Sequence, residues 1–180
     1  MDRLRLATVW LAGCSGCHMS FLDLDEWLFE LATMADLVYS PIMDTKLFPD
    51  DVDVTLVEGA VANYENLEML RTIRKRSKVL VSFGDCAVTG NVTALRNPLK
   101  SAQPVLERSY VELADANAGQ PSDPGILPVL LDRVEPLHAI VPVDFYLPGC
   151  PPSAPEIRLV LESLVAGKAP VLQGKQLKFG

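Results

Sequence analysis

Four cysteines, in three motifs far apart along the chain, limit the possible structures of this sequence more than any other feature. Cys14 and Cys17 follow the apolar run LRLATVWL, Cys86 comes soon after KVLVSF, and Cys150 directly follows VDFYLPG. Each run has the length and the aliphatic or β-branched composition of a buried strand. The sequence therefore places every cysteine just after the end of a predicted strand.

Helical segments alternate with these strands. Apolar residues at helical spacing predict a helix over 20–35, and VDVTLV (52–57) predicts a strand after it. Asn63 is the predicted N-cap of a second helix, and Ser153 with Glu156 forms a capping box for a third. This alternation predicts an α/β fold, with a doubly wound, mostly parallel sheet and helices on both faces.

We expect a single domain over residues 1–180, with one irregular insertion. The insertion is the proline- and glycine-rich stretch of about 91–142, in which one or two helices are expected, such as 101–108. In an open parallel sheet the carboxyl ends of the strands share one edge, and ligands bind there. The four cysteines can therefore meet at that edge although they lie far apart in the sequence.

Charge and hydropathy indicate which partners and which cellular compartment to expect for the chain. The net charge of −7 disfavours nucleic acid as a partner, because a phosphate backbone would be repelled, and the basic run RKRSK (74–78) is interpreted as an exposed helix end. No transmembrane segment, secretory signal or twin-arginine pair is recognised, so we expect no membrane partner and predict a cytoplasmic location. In a reducing compartment, cysteines at motif spacings more often bind metal or perform redox chemistry than form disulfides.

Four converging thiolates suit either a [4Fe–4S] cluster or structural zinc. Zinc sites usually take their ligands from two closely spaced pairs, whereas only Cys14 and Cys17 form such a pair here. Small and rigid residues beside the cysteines favour the cluster, because glycine lets backbone N–H groups approach cluster sulfurs and proline stiffens the chain. These residues are Gly13, Gly16, Gly84, Gly90, Pro148, Gly149, Pro151 and Pro152.

Other interpretations of the cysteines stay open at this point. Cys14 and Cys17 could form a thioredoxin-like redox dithiol at a strand–helix junction. Cys86 and Cys150 could each be a small buried hydrophobic residue, which is the usual role of a free cysteine. The loop after the first strand could instead bind the phosphate of a flavin, as in flavodoxin-like folds.

The motifs together resemble a known family. C-S-G-C (14–17), V-E-G (57–59), G-D-C-A-V-T-G (84–90) and P-G-C-P-P (148–152) resemble the small subunit of [NiFe]-hydrogenases, in the same order and over nearly the whole chain. Two of them also resemble the related small iron–sulfur subunit of respiratory NADH:quinone oxidoreductase, whose first motif has adjacent cysteines. The separated pair here favours the hydrogenase, and the resemblance is closest to the cytoplasmic, NAD-reducing (soluble, bidirectional) type.

The resemblance implies a flavodoxin-like fold and one proximal [4Fe–4S] cluster held by Cys14, Cys17, Cys86 and Cys150. It further implies partner subunits: a large subunit with a nickel–iron centre, and iron–sulfur and flavin diaphorase subunits that bind FMN and NAD. If one cluster uses all four cysteines, none is left for nickel, so the chain would transfer electrons without splitting hydrogen itself. No cysteine follows Cys150, so we expect electrons to pass from this cluster directly into another subunit.

Several residues beside the cysteines are candidates for supporting roles. Glu58 is expected at the same sheet edge, either as a proton relay or as a carboxylate that fixes a loop. The residues expected to surround the four ligands are Gly13, Gly16, His18, Thr89, Gly149 and Pro151. The His18 imidazole is expected either to donate to a sulfur or to face the partner subunit. Asp85 and Thr89 could do no more than shape the loop around Cys86.

Three other functions remain as alternatives: a quinone- or ferredoxin-linked subunit without hydrogenase activity, an FMN-binding module, and a zinc-stabilised interaction domain.

Overall fold

The computed structural model describes residues 3–177 and 179. Its strands are β1 (Leu4–Trp10), β2 (Ala35–Tyr39), β3 (Val52–Glu58), β4 (Val61–Asn63), β5 (Ser77–Phe83), β6 (Leu130–Glu135) and β7 (Phe145–Leu147). Its α-helices are α1 (Gly16–Leu22), α2 (Trp27–Met34), α3 (Tyr64–Arg76), α4 (Asp85–Thr89), α5 (Gln103–Glu107) and α6 (Ala154–Val165). A π-helical turn spans Arg108–Glu112, and 3₁₀ segments span Asn91–Leu99, Leu137–Ala139 and Gly174–Leu177.

Five strands form one parallel sheet in the order β2-β1-β3-β5-β7. When the two strands outside this sheet are set aside, the order is the 2-1-3-4-5 order of flavodoxin-like folds. All five strands run the same way, so their carboxyl ends lie along one edge. The predicted α/β fold with a mostly parallel sheet is therefore confirmed.

Helices cover both faces of the sheet, as the sequence predicts. Alternate side chains of the central strands point to opposite faces, so neighbouring Leu80 and Val81 belong to different cores. One core joins the strands to α2 and α6, through Trp27, Leu31, Ile157 and Leu161 among others. The other core joins them to α3, through Leu70 and Ile73. Burial of these apolar side chains on both faces holds the sheet between the helices and fixes the positions of the strand ends.

Two of the predicted helix starts are confirmed. The Asn63 side chain accepts a hydrogen bond from the Asn66 backbone N–H at 2.7 Å, which caps α3. Ser153 and Glu156 form the predicted capping box at the start of α6. Three cations of the basic run 74–78 form ion pairs: Arg74 with Asp144, Arg76 with Asp50 and Lys78 with Asp53.

Two predictions of secondary structure differ from the structure. The single helix expected over 20–35 is instead two helices, which meet at a turn where Asp25 adopts a positive φ of 48°. The first of these helices begins as early as Gly16, which places Cys17 inside it. Within the stretch 91–142, β6 pairs antiparallel with β4 to form a small second sheet, which the sequence pattern did not reveal.

The helices of the protein are short or amphipathic. Among residues 3–177 and 179, no helix combines the length and the apolar character needed to span a bilayer.

Candidate functional site

The structure places all four cysteines beyond the carboxyl ends of sheet strands. Cys14 lies in the loop after β1, and Cys17 lies in the first turn of α1, where it is 7% exposed. Cys86 lies in α4, directly after β5, and is 8% exposed. Cys150 follows β7 and is exposed, as Cys14 is. None of the four forms a disulfide, so the site offers two buried and two exposed thiols.

The thiols are close enough to influence one another's ionisation. Burial raises the pKa of the Cys17 thiol, and the nearby charges of Glu58 and of the other three cysteines raise it further. Burial also raises the pKa of Cys86, with further contributions from Cys14 and Cys150. The four thiols therefore lie near one another at this edge of the sheet, and four thiolates here would repel one another unless a positive centre offset their charges.

A glycine makes the close approach of two cysteine motifs possible. Gly84 adopts φ 82° and ψ 163°, a conformation that is essentially restricted to glycine. A Cβ atom at this position would overlap the Cys17 sulfur. Because Gly84 has no side chain, the loop that carries Cys86 can pass directly beside Cys17.

Asp85 connects the loops of Cys86 and Cys150. Its side chain is buried, and its Oδ1 accepts a hydrogen bond of 2.6 Å from the Gly149 N–H. The Asp85 N–H in turn donates to the Gly149 carbonyl at 2.9 Å, and the Thr89 hydroxyl donates to the Asp85 carbonyl at 2.9 Å. The role expected of Asp85 and Thr89, that of shaping the loop around Cys86, thus extends to the loop of Cys150.

Glu58 supports the motif of Cys14 and Cys17 from the end of β3. It is only 1% exposed, and its Oε2 accepts hydrogen bonds from the backbone N–H of His18 at 3.0 Å and from His18 Nδ1 at 2.5 Å. Ser15, the N-cap residue of α1, makes no side-chain capping bond, so the Glu58 carboxylate caps this helix instead. Glu58 therefore holds the first cysteine motif against the sheet.

The imidazole of His18 is held between this carboxylate and two aromatic rings. Its centroid lies 5.3 Å from that of Trp10 and 6.1 Å from that of Phe83. Its Nε2 is buried and has no hydrogen-bond partner within residues 3–177 and 179. His18 Nδ1 is taken by its contact with Glu58, so the predicted donation from His18 to a sulfur stays a prediction for Nε2.

The other residues expected around the ligands also lie at the site. A Cβ at Gly16 would come within 3.2 Å of the Cys14 sulfur, and one at Gly13 within 3.6 Å of Glu58 Oε1. Gly149 has φ 132°, and a Cβ there would lie 2.6 Å from Pro152 Cα. Pro151 follows Cys150 directly and shares a cis peptide bond with it.

Two supporting residues were missed in the sequence. Ser20 in α1 donates a hydrogen bond of 2.6 Å to the Pro152 carbonyl and so joins α1 to the loop of Cys150. The Asn91 amide nitrogen donates to the Cys150 sulfur at 3.4 Å. The Gly90-Asn91 dipeptide is a turn signal, and could have marked this position, whereas nothing in the sequence singles out Ser20.

The four thiols fit an iron–sulfur cluster better than a single metal ion. Among the described residues, no group of three or more His, Cys, Asp or Glu side chains is arranged to hold a metal ion. A four-iron cluster takes one thiolate per iron, so its ligands stand further apart than those around one zinc ion. Four thiols that lie near one another, a glycine that lets the Cys86 loop approach Cys17, and an amide donor to the Cys150 sulfur fit such a cluster.

The flavin alternative fits the same geometry less well. In flavodoxin-like folds a phosphate binds where the first strand meets the first helix, because the N–H groups there attract an anion. Here the Glu58 carboxylate already bonds the His18 N–H in the first turn of α1. A phosphate at this position would be repelled by a buried carboxylate.

The chain is similar to known proteins over most of its length. The family model described as the 20 Kd subunit of NADH ubiquinone oxidoreductase matches residues 14–164. The HoxS delta subunit of the NAD-reducing hydrogenase of Cupriavidus necator is 39% identical over 170 residues, which cover 92% of this chain and 80% of that protein. One subunit of the F420-non-reducing hydrogenase of Methanothermobacter marburgensis is 36% identical over 93% of this chain. The chain spans only 55% of that relative's length.

Two solved hydrogenase structures are also similar to this chain. A crystal structure of NAD⁺-reducing [NiFe]-hydrogenase in the H₂-reduced state contains a chain that is 40% identical, with a TM-score of 0.93. The match covers 99% of this chain and 100% of that one. A [NiFeSe]-hydrogenase of Dm. baculatum, at 17% identity and a TM-score of 0.57 over 93% of this chain, shares the fold alone.

Proposed function

Because this chain belongs to the family of the NADH ubiquinone oxidoreductase 20 kDa subunit and of hydrogenase small subunits, we propose that it is the electron-transfer subunit of an NAD-reducing [NiFe]-hydrogenase. Cys14, Cys17, Cys86 and Cys150 hold one [4Fe–4S] cluster. When bound, this cluster supplies one-electron transfer within the complex. The observation that carries the proposal is the convergence of four thiols at one sheet edge, in a chain of this family.

The residues of this chain fix the four thiols in place. Glu58 caps α1 and so holds Cys14 and Cys17 against the sheet. Asp85 joins the loops of Cys86 and Cys150 through the two hydrogen bonds with Gly149. Hydrogen bonds that support metal ligands in this way orient them and are needed for affinity. The ligands are therefore positioned by buried contacts that do not depend on the metal.

The other redox groups belong to partner subunits. With all four cysteines committed to one cluster, this chain has no thiolate left for a nickel–iron centre, which a large subunit provides. Diaphorase subunits carry the FMN and bind NAD, and the complex acts in the cytoplasm without a membrane or nucleic-acid partner. Hydrogen dehydrogenase activity therefore belongs to the complex, and this chain contributes the electron path.

Glu58 and His18 have a second role in the proposal. The Glu58 carboxylate and the His18 imidazole are joined by a short contact of 2.5 Å, and both side chains can exchange protons. This pair is the candidate proton relay at the edge that faces the large subunit. The same carboxylate oxygen, Oε2, accepts both the capping bond from the His18 N–H and the bond from His18 Nδ1.

The proposal is tested by purifying the complex anaerobically and measuring iron, labile sulfide and zinc in this subunit. We expect about four irons and four sulfides per chain, the content of one cubane with four cysteine ligands. Stoichiometric zinc without iron would contradict the proposal and would support the zinc-stabilised domain. FMN in this subunit without iron would support the flavin module.

A subunit of a quinone- or ferredoxin-linked complex is the second candidate function. The observation in its favour is the family model itself, which is described by an NADH ubiquinone oxidoreductase subunit. It requires the same cluster, so metal analysis does not separate the two candidates. Hydrogen-dependent reduction of an artificial dye by the purified complex separates them, because only a hydrogenase supports it.

A further inference from the structure

Among the residues that the structure describes, the Asn91 side chain is the one side-chain amide with a hydrogen bond to a cysteine sulfur. Its Nδ2 lies 3.4 Å from Cys150 Sγ, although the two residues are 59 positions apart. The amide nitrogen can only donate, and the sulfur accepts. The contact therefore brings a fixed donor to one of the four candidate ligands, and no motif of the sequence assigned a role to it.

The backbone around Asn91 holds the side chain in this position. Gly90 and Asn91 both have positive φ values, of 87° and 34°, so the chain turns sharply after α4. The Asn91 N–H donates to the Thr89 hydroxyl at 3.3 Å, and that hydroxyl donates to the Asp85 carbonyl at 2.9 Å. Asp85 is in turn bonded to Gly149, the residue before Cys150. Hydrogen bonds thus connect both the donor, Asn91, and the loop of the acceptor, Cys150, to Asp85.

The residue type suits this position better than others do. Asparagine adopts positive φ more readily than most residues with a side chain. Its short amide reaches the sulfur without the loss of rotamer freedom that a longer side chain would suffer. A residue chosen only for the turn could be glycine, which would leave the sulfur without this donor.

We propose that Asn91 is a positioning residue that raises the reduction potential of the cluster by donating a hydrogen bond to the Cys150 sulfur. This inference rests on the proposed function, since it requires Cys150 to be a cluster ligand. Addition of one electron increases the negative charge on the cluster sulfurs, so a hydrogen-bond donor stabilises the reduced state more than the oxidised state. Hydrogen bonds to sulfur are among the factors that set the potentials of such clusters.

The test compares Asn91→Gly with the wild type in the purified complex. Glycine tolerates the positive φ and removes only the donor. Cluster reduction is followed by electron paramagnetic resonance during a redox titration, with iron and sulfide measured in the same samples. At a fixed solution potential near the wild-type midpoint, we expect the ratio of reduced to oxidised cluster to fall about threefold to tenfold, the range of an ordinary hydrogen bond.

The chain offers a matched control. Asn117 is an exposed asparagine that also has a positive φ, of 52°, but it lies in the irregular loop before Gly119. Asn117→Gly makes the same chemical change and should leave the ratio unchanged. A second variant, Asn91→Asp, keeps the shape of the side chain but replaces the donor by a carboxylate oxygen. Asn91→Asp should lower the ratio of reduced to oxidised cluster at least as much as Asn91→Gly does.

Each outcome decides the inference. A normal iron content with an unchanged midpoint in Asn91→Gly overturns it, because the donor then has no effect on the potential. Loss of the cluster from both Asn91 variants, with the complex still assembled, also overturns it, since Asn91 would then be needed for assembly instead. Absence of iron from the wild type is a different result, which rejects the proposed function.

Discussion

Replacement of Gly84 by alanine tests whether the site depends on the close approach of two cysteine motifs. The added methyl group would overlap the Cys17 sulfur, and Gly84 has φ 82° and ψ 163°. Forcing alanine into such a conformation costs about 1–3 kcal/mol. Displacement of a buried, well-packed sulfur adds about 1–3 kcal/mol. The free energy of unfolding should therefore decrease by about 2–6 kcal/mol, and the displaced sulfur should no longer fit the cluster.

Gly125 provides the matched control for this substitution. It also has a positive φ, of 93°, but a Cβ at Gly125 would meet nothing within 4 Å. In Gly125→Ala the free energy of unfolding should thus decrease only by the cost of the strained backbone, and the protein should retain its iron. The difference between the two variants, about 1–3 kcal/mol, corresponds to about 2–12 °C in the melting temperature of a chain of this size.

The assay measures thermal unfolding by circular dichroism, and iron content, in both variants and in the wild type. We expect Gly84→Ala to lose iron and to melt well below Gly125→Ala. Equal melting temperatures and a full complement of iron in both variants would refute the reasoning, since the absence of a side chain at Gly84 would then be irrelevant to the site.

Two further predictions concern the buried carboxylates. Asp85→Ala leaves the Gly149 N–H without its carboxylate partner and should lower the free energy of unfolding by about 1–3 kcal/mol in a urea titration, whereas Asp85→Asn, which keeps an acceptor, should lose less. An Asp85→Ala protein as stable as the wild type would show that the two loops are held together by other contacts. Glu58→Gln keeps an acceptor for the His18 N–H but cannot exchange a proton, so we expect a full cluster and hydrogen turnover slowed by about 10²-fold. Wild-type turnover in an assembled complex would leave Glu58 with its capping role alone.

The strands, the helices and the sheet edge that carry the site could be predicted, because they depend on local signals in the sequence. Apolar runs mark the strands, and strands joined by helices form a parallel sheet whose carboxyl ends share one edge. Asn63 and the pair Ser153 and Glu156 cap helices within a few residues, so their geometry can be derived from short spacings. The positions of the four cysteines follow from these elements.

The contacts that fix the site could not be predicted in the same way. Glu58 bonds His18 across 40 positions, and Asn91 bonds Cys150 across 59. Such contacts depend on how far each loop extends beyond the end of its strand. The hydrophobic periodicity of the sequence carries no information about this distance. The break between α1 and α2 was missed for a related reason, since the apolar stripe of 20–35 continues on both sides of the turn at Asp25.

The central claim, that electrons pass through a cluster held by this chain, is tested most directly by Cys150→Ala in the complete complex. Alanine cannot replace a thiolate ligand, so the cluster should be lost or altered. Two activities are then compared: hydrogen isotope exchange, which requires only the nickel–iron centre of the large subunit, and hydrogen-dependent reduction of NAD⁺. The account predicts that isotope exchange persists in a folded complex while NAD⁺ reduction is abolished. Retained NAD⁺ reduction in a complex shown to lack this cluster would contradict it.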